Sequence, residues 1–86
     1  MYHVYVIQNQ FGRYYIGLTE DISVRLVQHN TGLSRWTRDR GPWTLVWNCD
    51  AMSLREARQL ELKLKRQKGG RGFYQMTGIR PRVLDS

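Results

Sequence analysis

The chain is poor in residues that crosslink proteins or bind transition metals. It contains one cysteine, Cys49, and two histidines, His3 and His29. A lone cysteine cannot form an internal disulfide, which is typical of a reducing compartment, and its common role is that of a small buried apolar residue. These three side chains are too few for a site built on His/Cys clusters, so a zinc enzyme of that kind is excluded.

Long hydrophobic stretches and a secretory leader are also absent. No apolar run approaches the ~18–20 residues that span a bilayer, and the chain starts with a strand-like pattern instead of a charged and then apolar segment. We therefore expect a soluble cytoplasmic protein with no membrane partner. A chain of this length forms one domain. We assign residues 1–86 to it, with a core of about residues 2–68 and a C-terminal tail of residues 69–86.

Acidic residues are scarce relative to basic ones. Seven Asp and Glu oppose fourteen Lys and Arg, which gives a formal net charge of +7. Such a charge attracts polyanions, and the attraction weakens as salt rises. A soluble protein that is simply basic has the same balance. An anionic membrane is a third option, but no lysine-rich amphipathic helix with bulky aromatic residues supports it. We therefore favour nucleic acid as the partner.

Two short strands joined by a glycine-containing turn are predicted at the start of the chain. Residues 2–7 and 14–18 are rich in aromatic and β-branched residues. A three-residue loop ending at Gly12 would place Tyr5 and Tyr15 on the same side of the hairpin as diagonal neighbours. A longer loop around Gly12 is the alternative. Strand tyrosines usually serve the core or the sheet surface, but a phenol near a cation can also orient or deprotonate a water molecule.

Two helices and a third strand follow. A first helix is predicted over residues 21–30, with Thr19 or Asp21 as its cap, and a third strand over residues 43–48. Ser53-x-x-Glu56 is a capping box that opens a second helix running to about residue 68. Gly69-Gly70 ends that helix, and a short further turn of helix can form before Pro81.

Arg25 and His29 lie on the face of the first helix that should meet the sheet. At ~100° per residue they share one arc with Ile22 and Leu26, which is an unusual place for a solvated arginine. Arg offers a planar fork of donors to phosphate oxygens, and His transfers protons near neutral pH. The alternative is an Arg at the helix edge and a His that caps the helix end. The pattern alone does not decide between the two.

Glu61 lies inside the apolar stripe of the second helix, beside Ala57 and Leu64. A carboxylate on the buried side of a helix is costly unless it is paired with a cation or a metal. Mg²⁺ is often held by one or two carboxylates, with water and phosphate completing its shell. Glu61 alone is therefore enough for a phosphodiesterase metal. An ion pair with Arg25 or with a lysine is the alternative.

Several basic side chains are candidates for contacts with phosphates, which position a nucleic acid without reading its sequence. The alternative is a solvated surface with no ligand. The candidates are Arg13, Arg35, Arg38, Arg40, Lys65, Lys68 and Arg71.

These motifs together resemble the GIY-YIG nuclease superfamily, in particular its small stand-alone bacterial members. Tyr15-Ile16-Gly17 is the YIG element unaltered, and Val4-Tyr5-Val6 occupies the GIY position with only its tyrosine retained. The segment from Arg25 to His29 is similar to the family's first helix, and Glu56-Ala57-x-x-x-Glu61 to the helix with its acidic residue. The similarity runs from residue 2 to about residue 68.

The resemblance implies an α/β fold, with a three-stranded antiparallel sheet flanked by helices, and metal-dependent cleavage of DNA. By the same resemblance, Glu61 would hold Mg²⁺ or Mn²⁺ and Arg25 would stabilise charge on the attacked phosphate. Tyr5 or Tyr15 would activate or orient the water, with His29 assisting. Many family members also carry an Asn after the acidic helix, whereas no Asn follows Asn48 here.

We therefore expect a Mg²⁺-dependent endonuclease with little intrinsic sequence specificity, acting in DNA repair or recombination. No DNA-reading module such as a zinc finger is appended, so specificity would come from the structure of the DNA, for example a branch, or from a protein partner. One alternative is a non-catalytic nucleic-acid-binding module on the same scaffold. Another is an interaction protein that uses the fold only for protein contacts.

Overall fold

The computed structural model describes residues 1–80, so residues 81–86 of the predicted tail, including Pro81, lie outside the described part. Three strands and three helices follow one another along the chain. Their bounds are β1 His3–Asn9, β2 Tyr14–Thr19, α1 Ile22–Asn30, β3 Trp43–Asn48, α2 Leu54–Arg66 and α3 Arg71–Thr77. The α/β fold with a three-stranded antiparallel sheet is as predicted.

The sheet has the order β2-β1-β3, so β1 is the central strand. The β1–β2 hairpin turns through three residues, because Asn9 N–H donates to the Arg13 carbonyl and Gly12 has a φ of 82°. A positive φ at this position is what a glycine permits in such a turn. The resulting register pairs Tyr5 with Gly17 and Ile7 with Tyr15. Tyr5 and Tyr15 are therefore diagonal neighbours on one face, as predicted.

Two predicted boundaries are wrong by about two residues. β1 begins at His3 and continues to Asn9, because Gln8 and Asn9 pair with β3 as well as extending the hairpin, while Tyr2 forms only an isolated bridge to Met52. The helix α2 ends at Arg66 instead of residue 68. Its last turn closes when Gln67 N–H donates to the Leu64 and Lys65 carbonyls.

Side chains at the helix starts explain where α1 and α2 begin. Asp21 caps α1, since its carboxylate accepts a hydrogen bond from Val24 N–H at 3.1 Å. Ser53 and Glu56 form the predicted capping box of α2, in which each side chain accepts from the other residue's backbone N–H. Such caps satisfy donors that a helix start otherwise leaves free. They fix the orientation of Arg25 and Glu61 further along each helix.

The two faces of the sheet carry different cores. On one face, Val4, Val6 and Ile16 pack against Ala57 and Leu64 of α2 and against Phe73 of α3, which is fully buried. The core therefore extends past residue 68. On the other face a smaller cluster of Tyr5, Ile7 and Trp43 is covered by Leu26 of α1. We call these the apolar face and the tyrosine face.

None of the helices within residues 1–80 combines the length and the apolar character needed to cross a membrane.

Candidate active site and nucleic-acid groove

A buried hydrogen bond between Tyr5 and His29 lies at the centre of the tyrosine face. Tyr5 comes from the central strand and His29 from the last turn of α1, and each is 2 % exposed. The Tyr5 hydroxyl lies 2.7 Å from His29 Nε2. The predicted inward orientation of His29 is confirmed, and the alternative of a solvated helix cap does not describe it. The strand alternation and the helical period therefore bring a phenol and an imidazole together away from solvent.

Thr37 contacts the second ring nitrogen of His29. Its hydroxyl lies 2.7 Å from His29 Nδ1 and 3.5 Å from the Ser34 carbonyl. Because the Tyr5 hydroxyl already accepts a hydrogen bond from Arg25, we assign its own proton to His29 Nε2, so that Nδ1–H donates to the Thr37 hydroxyl. Nε2 is then the acceptor, and the Tyr5 hydroxyl donates to it. The chain of hydrogen bonds thus runs from Tyr5 through His29 and Thr37 to Ser34.

Both titratable members of this chain are held in their neutral forms. Burial, followed by the charge of Arg25, lowers the pKa of His29 to about 4. Burial also raises the pKa of Tyr5 to about 12. A hydrogen bond from Arg25 works against burial and lowers the pKa of that phenol, whereas the charge of Glu61 raises it. At neutral pH, His29 Nε2 is therefore free to accept a proton, and Tyr5 still carries one.

Tyr15 completes a cluster of three rings and connects it to solvent. Its ring centroid is 4.9 Å from that of His29 and 6.4 Å from that of Tyr5. Unlike Tyr5, Tyr15 is only partly buried, and it lines an open groove on the surface. A ligand in this groove would reach Tyr15 before it reached Tyr5.

Gly17 is required by the position of the Tyr5 phenol. A Cβ atom at this residue would lie 2.5 Å from the Tyr5 hydroxyl oxygen and 2.7 Å from the adjoining ring carbon. Real Cβ atoms do not approach so closely, and the phenol is held in place by its 2.7 Å bond to His29. The last glycine of the Tyr15-Ile16-Gly17 motif therefore has a steric role that its sequence pattern alone did not show.

Arg25 and Glu61 lie at the margin of the ring cluster, both partly buried as expected from their inward positions. The Arg25 guanidinium donates to the Gln28 side chain at 2.8 Å. The Glu61 carboxylate forms an ion pair with Lys65 at 3.3 Å. Of the two alternatives considered for Glu61 from the sequence, the pair with a lysine is thus present. That pair is partly exposed, and such pairs contribute only about 0–1 kcal/mol, so it does not prevent a metal from taking the carboxylate.

The Glu61 carboxylate is an oxygen donor of the kind that hard cations prefer. No group of three or more His, Cys, Asp or Glu residues within the described chain could form a metal cage. Mg²⁺ and Mn²⁺ tolerate this, because water and substrate oxygens complete their coordination. A single carboxylate such as that of Glu61 is therefore compatible with a cation of this type.

Four of the seven predicted phosphate-binding side chains converge on the groove beside Tyr15. Arg13, Arg40, Lys65 and Lys68 line this cavity of about 730 Å³, and no carboxylate does. The other three are placed differently. Arg35 stacks near the Trp36 ring at 5.9 Å, Arg38 donates to the Gly32 carbonyl at 3.0 Å, and Arg71 opens α3 on the exposed surface.

Apart from Tyr15, the aromatic residues of the groove were not predicted as functional. Trp36, Trp43 and Tyr74 line it together with Tyr15. The sequence placed Trp36 in a basic loop, and that mixture of arginines with a tryptophan was the available signal. The contributions of Thr37 and Trp43 depend on how the loop folds back, since Trp43 Nε1–H donates to the Thr37 carbonyl at 3.1 Å.

The tyrosine face thus holds a cluster of two tyrosines and a histidine, with an arginine and a glutamate at its margin, and a basic groove lies beside Tyr15. Comparison with known families gives the class of protein: the GIY-YIG catalytic domain matches residues 1–74, and the chain belongs to this family. A function of the nuclease type, with DNA as the substrate that such a domain implies, follows from that membership.

Similar proteins occur among small proteins described as UPF0213 proteins. One from Yersinia pestis (strain Pestoides F) is 35 % identical over 66 residues, which is 76 % of this chain and 70 % of the relative. One from Yersinia pseudotuberculosis (strain IP 31758) matches to the same extent. The solution NMR structure of a UPF0213 protein from Bacillus halodurans is similar with a TM-score of 0.55 and 32 % identity, over 88 % of this chain and 82 % of that one.

Proposed function

We propose that this protein is a metal-dependent endonuclease that hydrolyses DNA phosphodiester bonds with little intrinsic sequence specificity. The observation that carries this proposal is the buried relay from Tyr5 to His29 and Thr37, with Arg25 and Glu61 beside it. A buried phenol needs a hydrogen-bond partner in any case, and here that partner is a neutral imidazole, which can also accept a proton. The relay gives the phenol a place to send its proton.

The relay supplies a base for water at neutral pH. As a water oxygen attacks phosphorus, its proton passes to the Tyr5 oxygen, and the proton of Tyr5 passes to His29 Nε2. The P–O bond to the leaving strand breaks, and the leaving oxygen takes a proton from solvent. Neutral His29 is ready to receive, since its pKa is held at about 4, and the imidazolium returns its proton once the product leaves. Because the Tyr5 hydroxyl is hydrogen-bonded to His29, we assign the base to Tyr5 and the orientation of water to Tyr15.

The charged residues would act on the phosphate. Arg25 would stabilise the charge that develops on the non-bridging oxygens, as a guanidinium suits phosphate geometry. Glu61 would hold Mg²⁺ or Mn²⁺, which, when bound, supplies a positive charge to the phosphate and the leaving oxygen. Lys65, which already lines the groove, would then give up its ion pair and be available to a phosphate.

We propose that the enzyme acts on DNA in the cytoplasm, in DNA repair or recombination. The groove offers cations and aromatic rings, and we assign its cations to phosphates, which are contacts that carry no sequence information. Its specificity would therefore come from the structure of the DNA, such as a branch, or from a protein partner.

One observation favours a second candidate, a non-catalytic nucleic-acid-binding module. Glu61 is paired with Lys65, and the phenol of Tyr5 has a pKa of about 12. The carboxylate is therefore occupied by a lysine, and the phenol is protonated at neutral pH. A member of the family that had lost its metal site would keep the groove and still bind DNA.

A cleavage assay separates the two candidates. Plasmid, branched and flapped DNA are incubated with Mg²⁺ or Mn²⁺ and with the wild type, Glu61→Ala, Arg25→Ala or the control Glu20→Gln. Glu20 is an exposed carboxylate that neither belongs to the ring cluster nor lines the groove. We expect cleavage by the wild type and the control, and a fall of at least roughly 100-fold in the other two, as for loss of a group that stabilises transition-state charge.

Metal binding provides a second readout. Electron paramagnetic resonance of Mn²⁺ should show binding to the wild type that Glu61→Ala loses, while circular dichroism stays unchanged. If Glu61→Ala cleaves DNA normally, the assignment of the metal ligand is wrong. If the wild type binds DNA but no cleavage occurs with either metal, the binding module replaces the enzyme.

A further inference from the structure

The groove beside Tyr15 differs from a plain basic surface because its cations and its aromatic rings share one concave space. Arg13, Lys65 and Lys68 line it together with Trp36 and Tyr74. Its volume of about 730 Å³ is within the range of roughly 300–1,000 Å³ typical of ligand sites. It is therefore large enough to hold part of a strand, and Tyr15 makes it continuous with the ring cluster.

The cations of the groove are close enough to repel one another. Burial, then the charges of Arg13 and Lys65, lowers the pKa of Lys68. Like charges that converge in this way are stabilised when an anion enters. Glu61, which pairs with Lys65, does not itself line the groove. A phosphodiester backbone supplies negative charges at regular intervals.

The walls of the groove are held in place before any ligand binds. Asn9 is buried, and its side chain accepts hydrogen bonds from the Phe11 and Arg13 backbone N–H groups at 3.0 and 2.9 Å. The same side chain donates to the Arg40 carbonyl at 3.0 Å. One residue therefore joins the hairpin turn to the basic loop, and an organised groove loses less entropy when it binds.

Trp36 is the residue that indicates what the groove binds. It is 69 % exposed, although a large indole in water is unfavourable, and the Arg35 guanidinium lies 5.9 Å from its ring. An indole at the rim of a basic groove is a stacking surface for a nucleobase. In a duplex the faces of the bases are covered by their neighbours, whereas in a single strand they are free.

We infer that this groove binds unpaired nucleotides of the DNA substrate, with the backbone on Arg13, Lys65 and Lys68 and a base stacked on Trp36. The inference rests on the proposed nuclease function, because it places the single-stranded segment next to the bond that is cut. Duplexes with a flap, a gap or an open branch would then be preferred to uniform double-stranded DNA. The stacking contact tolerates any base, in keeping with low sequence specificity.

Fluorescence anisotropy in metal-free buffer with EDTA tests this inference without cleavage. Three labelled ligands are compared: an oligothymidylate, an abasic oligonucleotide with the same number of phosphates, and a duplex of the same length. The variants are Trp36→Ala and the control Leu33→Ala, which truncates another exposed apolar residue of the same loop outside the groove. Both side chains are exposed, so the fold should survive in each, and circular dichroism checks this.

We expect the wild type to bind the oligothymidylate more tightly than the duplex. Trp36→Ala should weaken binding of the oligothymidylate by roughly 5- to 100-fold, the range for loss of one base stack, and should leave the abasic ligand unaffected. Leu33→Ala should bind all three ligands as the wild type does. Lys68→Ala should weaken the binding of every ligand. It should also reduce the slope of log K against log salt concentration by about one.

Equal binding of duplex and single strand by the wild type would overturn the inference. So would equal effects of Trp36→Ala on the thymidylate and abasic ligands, since stacking would then contribute nothing. These outcomes leave the nuclease proposal standing if the cleavage assay succeeds. Conversely, if the protein does not cleave DNA but shows the expected pattern of binding, the inference about the groove stands and the nuclease proposal fails.

Discussion

Alternate residues of β1 face opposite sides of the sheet, and the two sides bury different kinds of side chain. On the apolar face, Val4 and Val6 pack in one cluster with apolar residues of α2 and α3. On the tyrosine face, Tyr5 meets an imidazole, a second tyrosine and an arginine. Because successive side chains of β1 point to opposite faces of the sheet, one short strand contributes to the apolar core on one side and to the candidate site on the other.

The difference shows where a domain of this size places its polar groups. Its stability is a small balance of large terms, and buried polar groups are costly unless each is hydrogen-bonded. Within the described chain, every buried side-chain nitrogen and oxygen has a partner. The tyrosine face can therefore hold His29 and Thr37 without a large penalty, while the apolar face contributes most of the hydrophobic stabilisation.

Phe73→Ala should have the largest effect on stability and should leave the chemistry intact. Phe73 is fully buried on the apolar face, 5.0 Å from Tyr14 between ring centroids. Truncation of a buried phenylalanine costs about 3–5 kcal/mol, a large part of the total for a small domain. Urea denaturation measures the change in the free energy of unfolding, and cleavage is measured at a temperature where the variant remains folded.

Phe11→Ala is the matched control, because Phe11 is 73 % exposed and its loss should change stability by no more than about 0.5 kcal/mol. A folded Phe73→Ala protein with no cleavage would show that the two faces are not separable.

The pH dependence of stability should come in part from the tyrosine face. The pKa of His29 is about 4 in the folded state, below its ordinary value of about 6.5. Between these values the unfolded chain binds a proton that the folded chain does not. The free energy of unfolding should therefore fall as pH decreases from about 6.5 to about 4, by on the order of 1–3 kcal/mol for this residue.

His29→Gln isolates that contribution, since carboxylates also titrate in acid. Urea denaturation at a series of pH values should show a shallower loss of stability in the variant than in the wild type. Parallel curves would mean that His29 does not remain neutral in the fold.

The fold was largely predictable because its signals are local. The hairpin glycine, the cap of α1, the run of strand-forming residues in β3 and the capping box of α2 each act within a few residues. The position of α3 was less predictable, since its first residue is preceded by Gly70 with no side-chain cap. Its place is fixed by Phe73, whose burial depends on strands far away in the sequence.

The site was predictable only where periodicity determines direction. Alternation and the helical period placed Tyr5, Tyr15 and His29 on facing surfaces, and they meet. The roles of Thr37 and Trp36 depend on the path of residues 31–42, which contains turns and a positive φ of 61° at Asp39. Asn9 and Asn30 hold that loop through bonds to Arg40 and Trp43. No local pattern indicates such long-range contacts.

Gly17→Ala is the smallest substitution that should affect the tyrosine face selectively. The added methyl group would lie 2.5 Å from the Tyr5 hydroxyl oxygen, so either the phenol or β2 must shift. We expect a loss of about 1–3 kcal/mol in stability, as for overpacking of a core, and a fall in cleavage of roughly 100-fold, as for a displacement of about 1 Å at a reacting group.

Gly70→Ala serves as the control, because Gly70 lies outside the tyrosine face and its added methyl group would meet only the Gln67 carbonyl at 3.3 Å. Stability is measured by urea denaturation and activity by the plasmid assay, on the same preparations. If Gly17→Ala lost stability but cleaved at the wild-type rate, the position of the Tyr5 hydroxyl would not limit the reaction. The role of base would then pass to Tyr15, the more exposed of the two tyrosines.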